Sequence, residues 1–190
     1  MHSSLFVLMT SLTNSYIYYL YSIDKSNGSI LRTKKLSTIT NLDAAQLSSG
    51  GYFSLLLAPR AADIYFGIGT TSQASMGFLR LSGFDSSTSI DWYKKLSCSS
   101  CYPTALAESS HSTSYLYLAS VEGSEMKVRH FDDSGQEYWT ASITSSYRAK
   151  SMHADGTKVI VVSEYGSTQD LLVTILGGLS SGSHTNAPST

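Results

Sequence analysis

Three stretches of the chain follow one pattern, and that repetition limits the fold more than any single residue does. Ile23 to Ser37 reads IDKSNGSILRTKKLS, Phe84 to Ser97 reads FDSSTSIDWYKKLS, and Phe131 to Thr144 reads FDDSGQEYWTASIT. Each has an apolar residue followed by Asp, a short turn of Ser, Gly, Asn or Thr, and then a strand of mixed pattern. Trp92 and Trp139 stand 47 residues apart, and Ile30 and Ile90 stand 60 apart. The extra length falls in 41–51, a looser segment where insertion costs little. A repeat of about 40–50 residues is one supersecondary unit of a stacked array, because such a unit cannot bury its apolar face alone.

Composition decides what the unit is made of. Tyr is abundant, with 13 in 190 residues, and Ser and Thr are plentiful. These types suit pleated, half-buried surfaces and tight turns. Long runs of helix formers are missing, which makes the class all-β. Only 14% of residues are charged and the net charge is −1. No basic field is available for nucleic acid, so no nucleic-acid partner is expected. The apolar run Leu5 to Leu12 is too short to span a bilayer and reads as a strand, with a degenerate signal segment as the alternative, so no membrane span is expected.

The strands can be placed in order. Leu5 to Met9 and Tyr16 to Asp24 come first, the second dense enough in aromatic and aliphatic residues to predict cover on both faces. Ile30 to Ser37 and Tyr52 to Leu57 follow, with a helical turn in 41–51. Next come Asp63 to Gly69, Met76 to Asp85, Ile90 to Leu96 and a short strand at Thr104 to Ala107. Tyr115 to Ala119, Met126 to Phe131, Tyr138 to Ile143 and Ala149 to His153 repeat that order. Lys158 to Val162 and Leu171 to Leu176 open a further unit. Four-stranded units at this period are propeller blades. The expectation is a β-propeller-like array of antiparallel blades over 1–178, with units at about 1–58, 62–107, 114–153 and 158–178. A flexible polar tail follows at 179–190. Ile64–Gly69, Tyr115–Ala119 and Val159–Val162 are the candidate inner strands, and Trp92 and Trp139 are placed in the gaps between blades. A β-sandwich or a solenoid is the alternative.

The unit from Tyr115 to Ile143 resembles propeller blades of the quinoprotein-like and bacterial SBBP-repeat kind, in which two strands, Asp-x-x-Gly and a Trp-bearing strand succeed one another. Asp132, Gly135 and Trp139 match. Asp85 and Trp92 match, with Thr88 or Ser89 in place of the Gly. Asp24 and Gly28 match, but Arg32 stands where Trp would be. The resemblance covers about Tyr16 to Leu176 and implies a fold, with no active site to transfer. About three and a half blades do not make the commoner closed rings, and open edges template pairing with other strands. The array is therefore expected to be incomplete, or completed by another chain.

Candidate chemistry is sparse. Cys98-Ser-Ser-Cys101 is read first as a local disulfide, with free thiols, half a zinc site and a redox motif as alternatives. His111, His130 and His153 lack ligand spacing. Asp24, Asp85 and Asp132 recur at one place in each unit, which favours turn capping over calcium or glycosidase chemistry. Asn27-Gly28-Ser29 is an N-glycosylation sequon in a turn. No cofactor, metal or catalytic residue is expected. The expected function is a non-catalytic extracellular or cell-surface structural module. It would bind protein chains, itself included, through open blade edges, as a filament or coat subunit would, with glycans a further partner class. The alternative is a fragment of a ligand-binding, glycan-binding or enzymatic propeller.

Overall fold

The computed structural model describes residues 4–11, 17–35, 52–57, 64–69, 75–82, 89–98, 100–109, 115–143, 146–155, 158–165 and 170–177. The expected helical turn in 41–51, the Asp85 turn, His111 and the polar tail lie outside them.

Among the described residues all fourteen elements are strands: β1 (Ser4–Ser11), β2 (Ile17–Asp24), β3 (Ile30–Lys35), β4 (Tyr52–Leu57), β5 (Ile64–Gly69), β6 (Ser75–Ser82), β7 (Ser89–Ser97), β8 (Cys101–Glu108), β9 (Leu116–Glu122), β10 (Glu125–Phe131), β11 (Glu137–Ile143), β12 (Ser146–Asp155), β13 (Lys158–Tyr165) and β14 (Asp170–Leu176). They form four antiparallel sheets, each a simple meander: β1-β2-β3, β4-β5-β6-β7, β8-β9-β10-β11 and β12-β13-β14. The second, third and fourth sheets stack face on face. Tyr65, Met76 and Phe78 of the second sheet pack against Leu116, Leu118 and Phe131 of the third. Tyr117, Met126, Val128 and Trp139 on the third sheet's other face pack against Ala149, Val159 and Val161 of the fourth. Among the described residues the array is all-β and propeller-like, with sheets of three or four antiparallel strands.

The units drawn on the sequence are out of phase with these sheets by one strand. Tyr52–Leu57 opens the second sheet and does not close the first. Cys101–Glu108 opens the third, where the sequence placed only a short closing strand at Thr104–Ala107. Ser146–Asp155 opens the fourth. The inner-strand assignment shifts with it. The opening strands β4, β8 and β12 are the ones that neighbour each other from sheet to sheet. The apolar runs in β5, β9 and β13 belong to second strands instead. A second strand has a partner on each side, and in β5 and β9 every residue is buried. The opening strand β8 alternates buried and half-buried. Continuous apolar sequence marks a strand covered on both faces, and that position is not the innermost one.

The Asp turns set the correspondence between sheets. They join β2 to β3 and β10 to β11, so the first sheet holds counterparts of the second, third and fourth strands of a full sheet. The fourth sheet holds the first, second and third. β2 also departs from its expected cover on both faces. Leu20 and Ser22 are buried while Tyr19, Tyr21 and Ile23 on the other face are half-buried. Where the second and third sheets meet, a Cβ on Gly67 would lie 2.5 Å from the Pro103 Cβ, so only glycine admits β8 this closely.

Candidate functional site

The repeated Asp-turn is a structural device in the two copies that are described. The Asp24 Oδ1 accepts from the Ser26 amide and hydroxyl, both at 2.7 Å. The Asp132 Oδ1 accepts from the Ser134 amide at 2.9 Å, the Ser134 hydroxyl at 2.7 Å and the Gln136 amide at 2.8 Å. Gly28 and Gly135 then take positive φ, at 73° and 80°, closing each turn in the region that glycine favours. The Ser26 hydroxyl and amide hold Asp24 below its ordinary range. Burial would raise Asp132, but the donors from Ser134, Gln136 and Tyr138 outweigh it and lower its pKa. Both carboxylates are occupied in holding backbone. Among the described residues no group of three or more His, Cys, Asp or Glu is placed to hold a metal ion.

Trp92 lies across the junction between the second and third sheets. Its indole N–H donates to the Asp133 carbonyl at 2.7 Å, and Arg80 donates to the same oxygen at 3.1 Å. Its ring covers Gly135, where a Cβ would lie 2.9 Å from the ring. Phe78 meets it edge-on at 5.2 Å. The fourth strand of one sheet thus grips the Asp turn of the next. Around Gly28, the counterpart of Gly135, a Cβ would meet nothing within 4 Å. Trp139, the counterpart of Trp92, is buried at the junction with the fourth sheet.

Two further clusters were not readable as such in the sequence. On the third sheet's face toward the second, Arg129 forks onto Glu122 and also reaches Ser120 at 3.3 Å, while Lys127 contacts Glu122 at 3.1 Å. Burial would raise Glu122, and the Arg129 and Lys127 contacts more than offset it. On the opposite face His130 stacks between Tyr117 at 4.8 Å and Tyr138 at 5.2 Å, with Tyr115 edge-on at 4.6 Å. Neither His130 nitrogen has a hydrogen-bond partner. Burial lowers its pKa to about 4 against the opposing charge of Asp132, and burial pushes Tyr117 up to about 12. The spacing of Tyr117, His130 and Trp139 conceals that they pair across neighbouring strands.

Cys98 and Cys101 lie with their sulfurs at bonding distance and their Cα atoms 5.9 Å apart, tying the end of β7 to the start of β8. Asn27 sits exposed at the tip of the first-sheet turn, its side-chain oxygen accepting from the Ser29 amide at 2.8 Å. His153 is exposed on β12.

The outermost surfaces are the candidate site. On the fourth sheet, Ala154, Val159, Val161 and Leu176 face the third. Strand alternation turns Ile160, Val162, Leu171, Val173 and Ile175 the other way. Leu171, Val173 and Ile175 are 68%, 59% and 64% exposed. Glu164, paired with Arg148 at 2.7 Å and Lys150 at 2.5 Å, lies beside Leu171 at one end of this row. Their counterparts in the third strands of the earlier sheets, Met76 and Phe78 in β6 and Met126 and Val128 in β10, are fully buried beneath the next sheet. The sequence DLLVTIL reads as a covered strand in either setting, so only the neighbourhood reveals the exposure.

No family model matches the chain, and no curated protein matches it. A solved structure described as "Structure of Dos1 propeller" is similar over 84% of this chain and 39% of that one, at 18% identity and a TM-score of 0.49. The chain therefore spans 39% of that protein's length. The quinoprotein-like resemblance gains no support from this. The fold description rests on the four sheets and their stacking.

Proposed function

We propose that the chain is a non-catalytic protein-interaction module of the extracellular or cell-surface space, lending sheet faces to a larger assembly such as a filament or coat. One observation carries this reading: the apolar row Leu171, Val173 and Ile175 stands in water, although every corresponding row inside the array is buried. Large exposed apolar surface of this kind marks contact with other proteins. The Asp positions, which could have been read as catalytic pairs, are used for turn closure in Asp24 and Asp132. The extracellular part of the reading draws on the Cys98–Cys101 pair and on the exposed Asn27 sequon, both suited to an oxidising compartment.

A cysteine introduced as Val173→Cys tests the face. A maleimide should modify it readily in the dilute purified chain, and about tenfold more slowly when the chain is labelled in its native setting. Equal labelling in both settings overturns the reading. Intact mass of the native chain tests the compartment: an oxidised Cys98–Cys101 pair and a glycan on Asn27 are expected, while free thiols with a bare Asn27 overturn it.

A further inference from the structure

We infer that the Cys98–Cys101 link is a reversible thiol–disulfide exchange site, opened at Cys98 by a low-molecular-weight thiol, with Cys101 as the sulfur that leaves and later recloses the ring. It does not depend on the apolar row of the fourth sheet.

Linkage sets how firmly the fold holds this bond. The free energy by which a disulfide stabilises a fold is also the free energy by which the fold stabilises the disulfide, because the two are one coupling seen from either side. Cys98 and Cys101 are three positions apart, and so short a ring removes least from the entropy of the unfolded chain. The fold therefore returns little protection to the bond. The backbone inside the ring does not favour closure either. Ser100 sits at φ 53°, in the left-handed region that a residue with a Cβ occupies at a cost. Disulfides that the fold leaves unprotected are the ones that exchange with small thiols.

The open state has a place in the same structure. The Cys98 sulfur lies 3.3 Å from the Leu96 carbonyl oxygen, an acceptor ready for its thiol hydrogen. The Ser100 carbonyl accepts from the Gly123 amide at 3.2 Å, so the connection is tied to the β9–β10 turn by a contact that does not need the sulfurs. Cys101 is fully buried in the cluster that holds Met76, Phe78, Leu116 and Phe131, and that packing keeps it beside Cys98 when the bond is broken.

Burial also decides which sulfur is attacked. Cys101 is closed to solvent, while Cys98 is half-buried beside exposed Ser97 and near exposed Ser100. Access selects Cys98. In the first step the incoming thiolate bonds to the Cys98 sulfur, the bond to Cys101 breaks, and Cys101 takes the electron pair and then a proton. In the second, another small thiolate attacks the sulfur that the first one contributed, forming the small-molecule disulfide and releasing Cys98 as a thiolate. Two small thiols are oxidised by two electrons in total, and the pair is reduced to two thiols. In the reverse direction Cys101, once deprotonated, attacks Cys98 in the mixed disulfide and expels the small thiol.

Glutathione buffers of graded thiol-to-disulfide ratio, applied to the full chain and followed by acid quenching and peptide mapping by mass, test the inference. The folded wild type should hold the link less than about a hundredfold more tightly than the same chain does in denaturant. The mixed disulfide should map to Cys98 alone, and the circular dichroism of the reduced chain should match that of the oxidised one. Cys101→Ser should accumulate a glutathione adduct on Cys98 while folded, whereas Cys98→Ser should leave Cys101 unreacted until denaturant is added. Four results overturn the inference: a link that the fold holds more than about a hundredfold tighter, an adduct on Cys101 in the folded chain, a folded Cys101→Ser chain that takes no adduct, or loss of the native spectrum on reduction. The wild-type measurements decide the question by themselves if a variant fails to fold.

Discussion

The third sheet has two buried faces, and they are held by different physics. Toward the second sheet, aromatic packing of Phe78, Phe131 and Trp92 surrounds directional contacts: the Arg129–Glu122 fork and the Trp92 grip on the Asp133 carbonyl. Toward the fourth sheet, Tyr117, Met126, Val128, Trp139 and Ile143 pack with little polar traffic, and burial among them keeps the His130 imidazole neutral. A face fixed by charge-assisted forks tolerates few alternative registers, while a face fixed by apolar volume constrains position less sharply. The difference teaches that the array is not a stack of equivalent junctions, even though its sequence repeats.

The sharpest way to break this comparison is Glu122→Ala. It leaves the Arg129 guanidinium buried without its fork, and the expected loss is about 3–5 kcal/mol in chemical denaturation. Replacing both partners, as Glu122→Leu with Arg129→Met, should recover most of that loss. If the single variant costs no more than an ordinary surface change, the polar description of this face is wrong.

The next effect belongs to the other face and appears as pH dependence. A base whose pKa falls on folding, here from the ordinary 6.5 to about 4, takes up its proton only in the unfolded chain over the interval between. Stability should therefore fall as pH drops through that window and level off below it, by an amount on the order of 3 kcal/mol. Asp132 and Glu122 have lowered pKa values, so their contributions are lost only at still lower pH. His130→Phe keeps an aromatic ring between Tyr117 and Tyr138, and unfolding measured between pH 4 and 7 should lose most of its slope. A slope unchanged in that variant would assign the dependence to other groups.

The smallest effect is Trp92→Phe. The ring would still cover Gly135, but the donor to Asp133 is gone, for a loss of about 1 kcal/mol. Because Arg80 also donates to that carbonyl, the loss should grow when Arg80→Met is added, and a double-mutant cycle measures the coupling. Strict additivity would show that the two donors act independently.

Much of this was legible in the sequence, in proportion to how local the cause was. Strand class, the positions of Asp24, Asp132 and Gly135 at turns, and Trp92 at a junction all follow from spacing and turn chemistry confined to a few residues. The phase of the sheets did not follow. Ile64–Gly69 and Leu116–Glu122 read as inner strands because continuous apolar sequence reports cover on both faces, and a second strand has that cover as fully as an innermost one. The Arg129–Glu122 fork and the His130 stack were invisible because they depend on register between strands, which the hairpin turn fixes and composition does not. The exposure of Leu171, Val173 and Ile175 lay beyond sequence for the opposite reason: their pattern is that of a covered strand, and what is missing is the cover.

The Cys98–Cys101 link has a consequence for how the chain survives damage. It closes so short a loop that it does little to restrict the unfolded chain. It spans the connection between the second and third sheets, with exposed Ser100 inside the span. A protease that cuts between Ser99 and Ser100 severs the backbone and leaves the two halves as one covalent molecule. The nick would add one water to the mass and keep the fragments together until a reductant releases them, and the Trp92 grip on Asp133 would still hold the two halves in place across the cut.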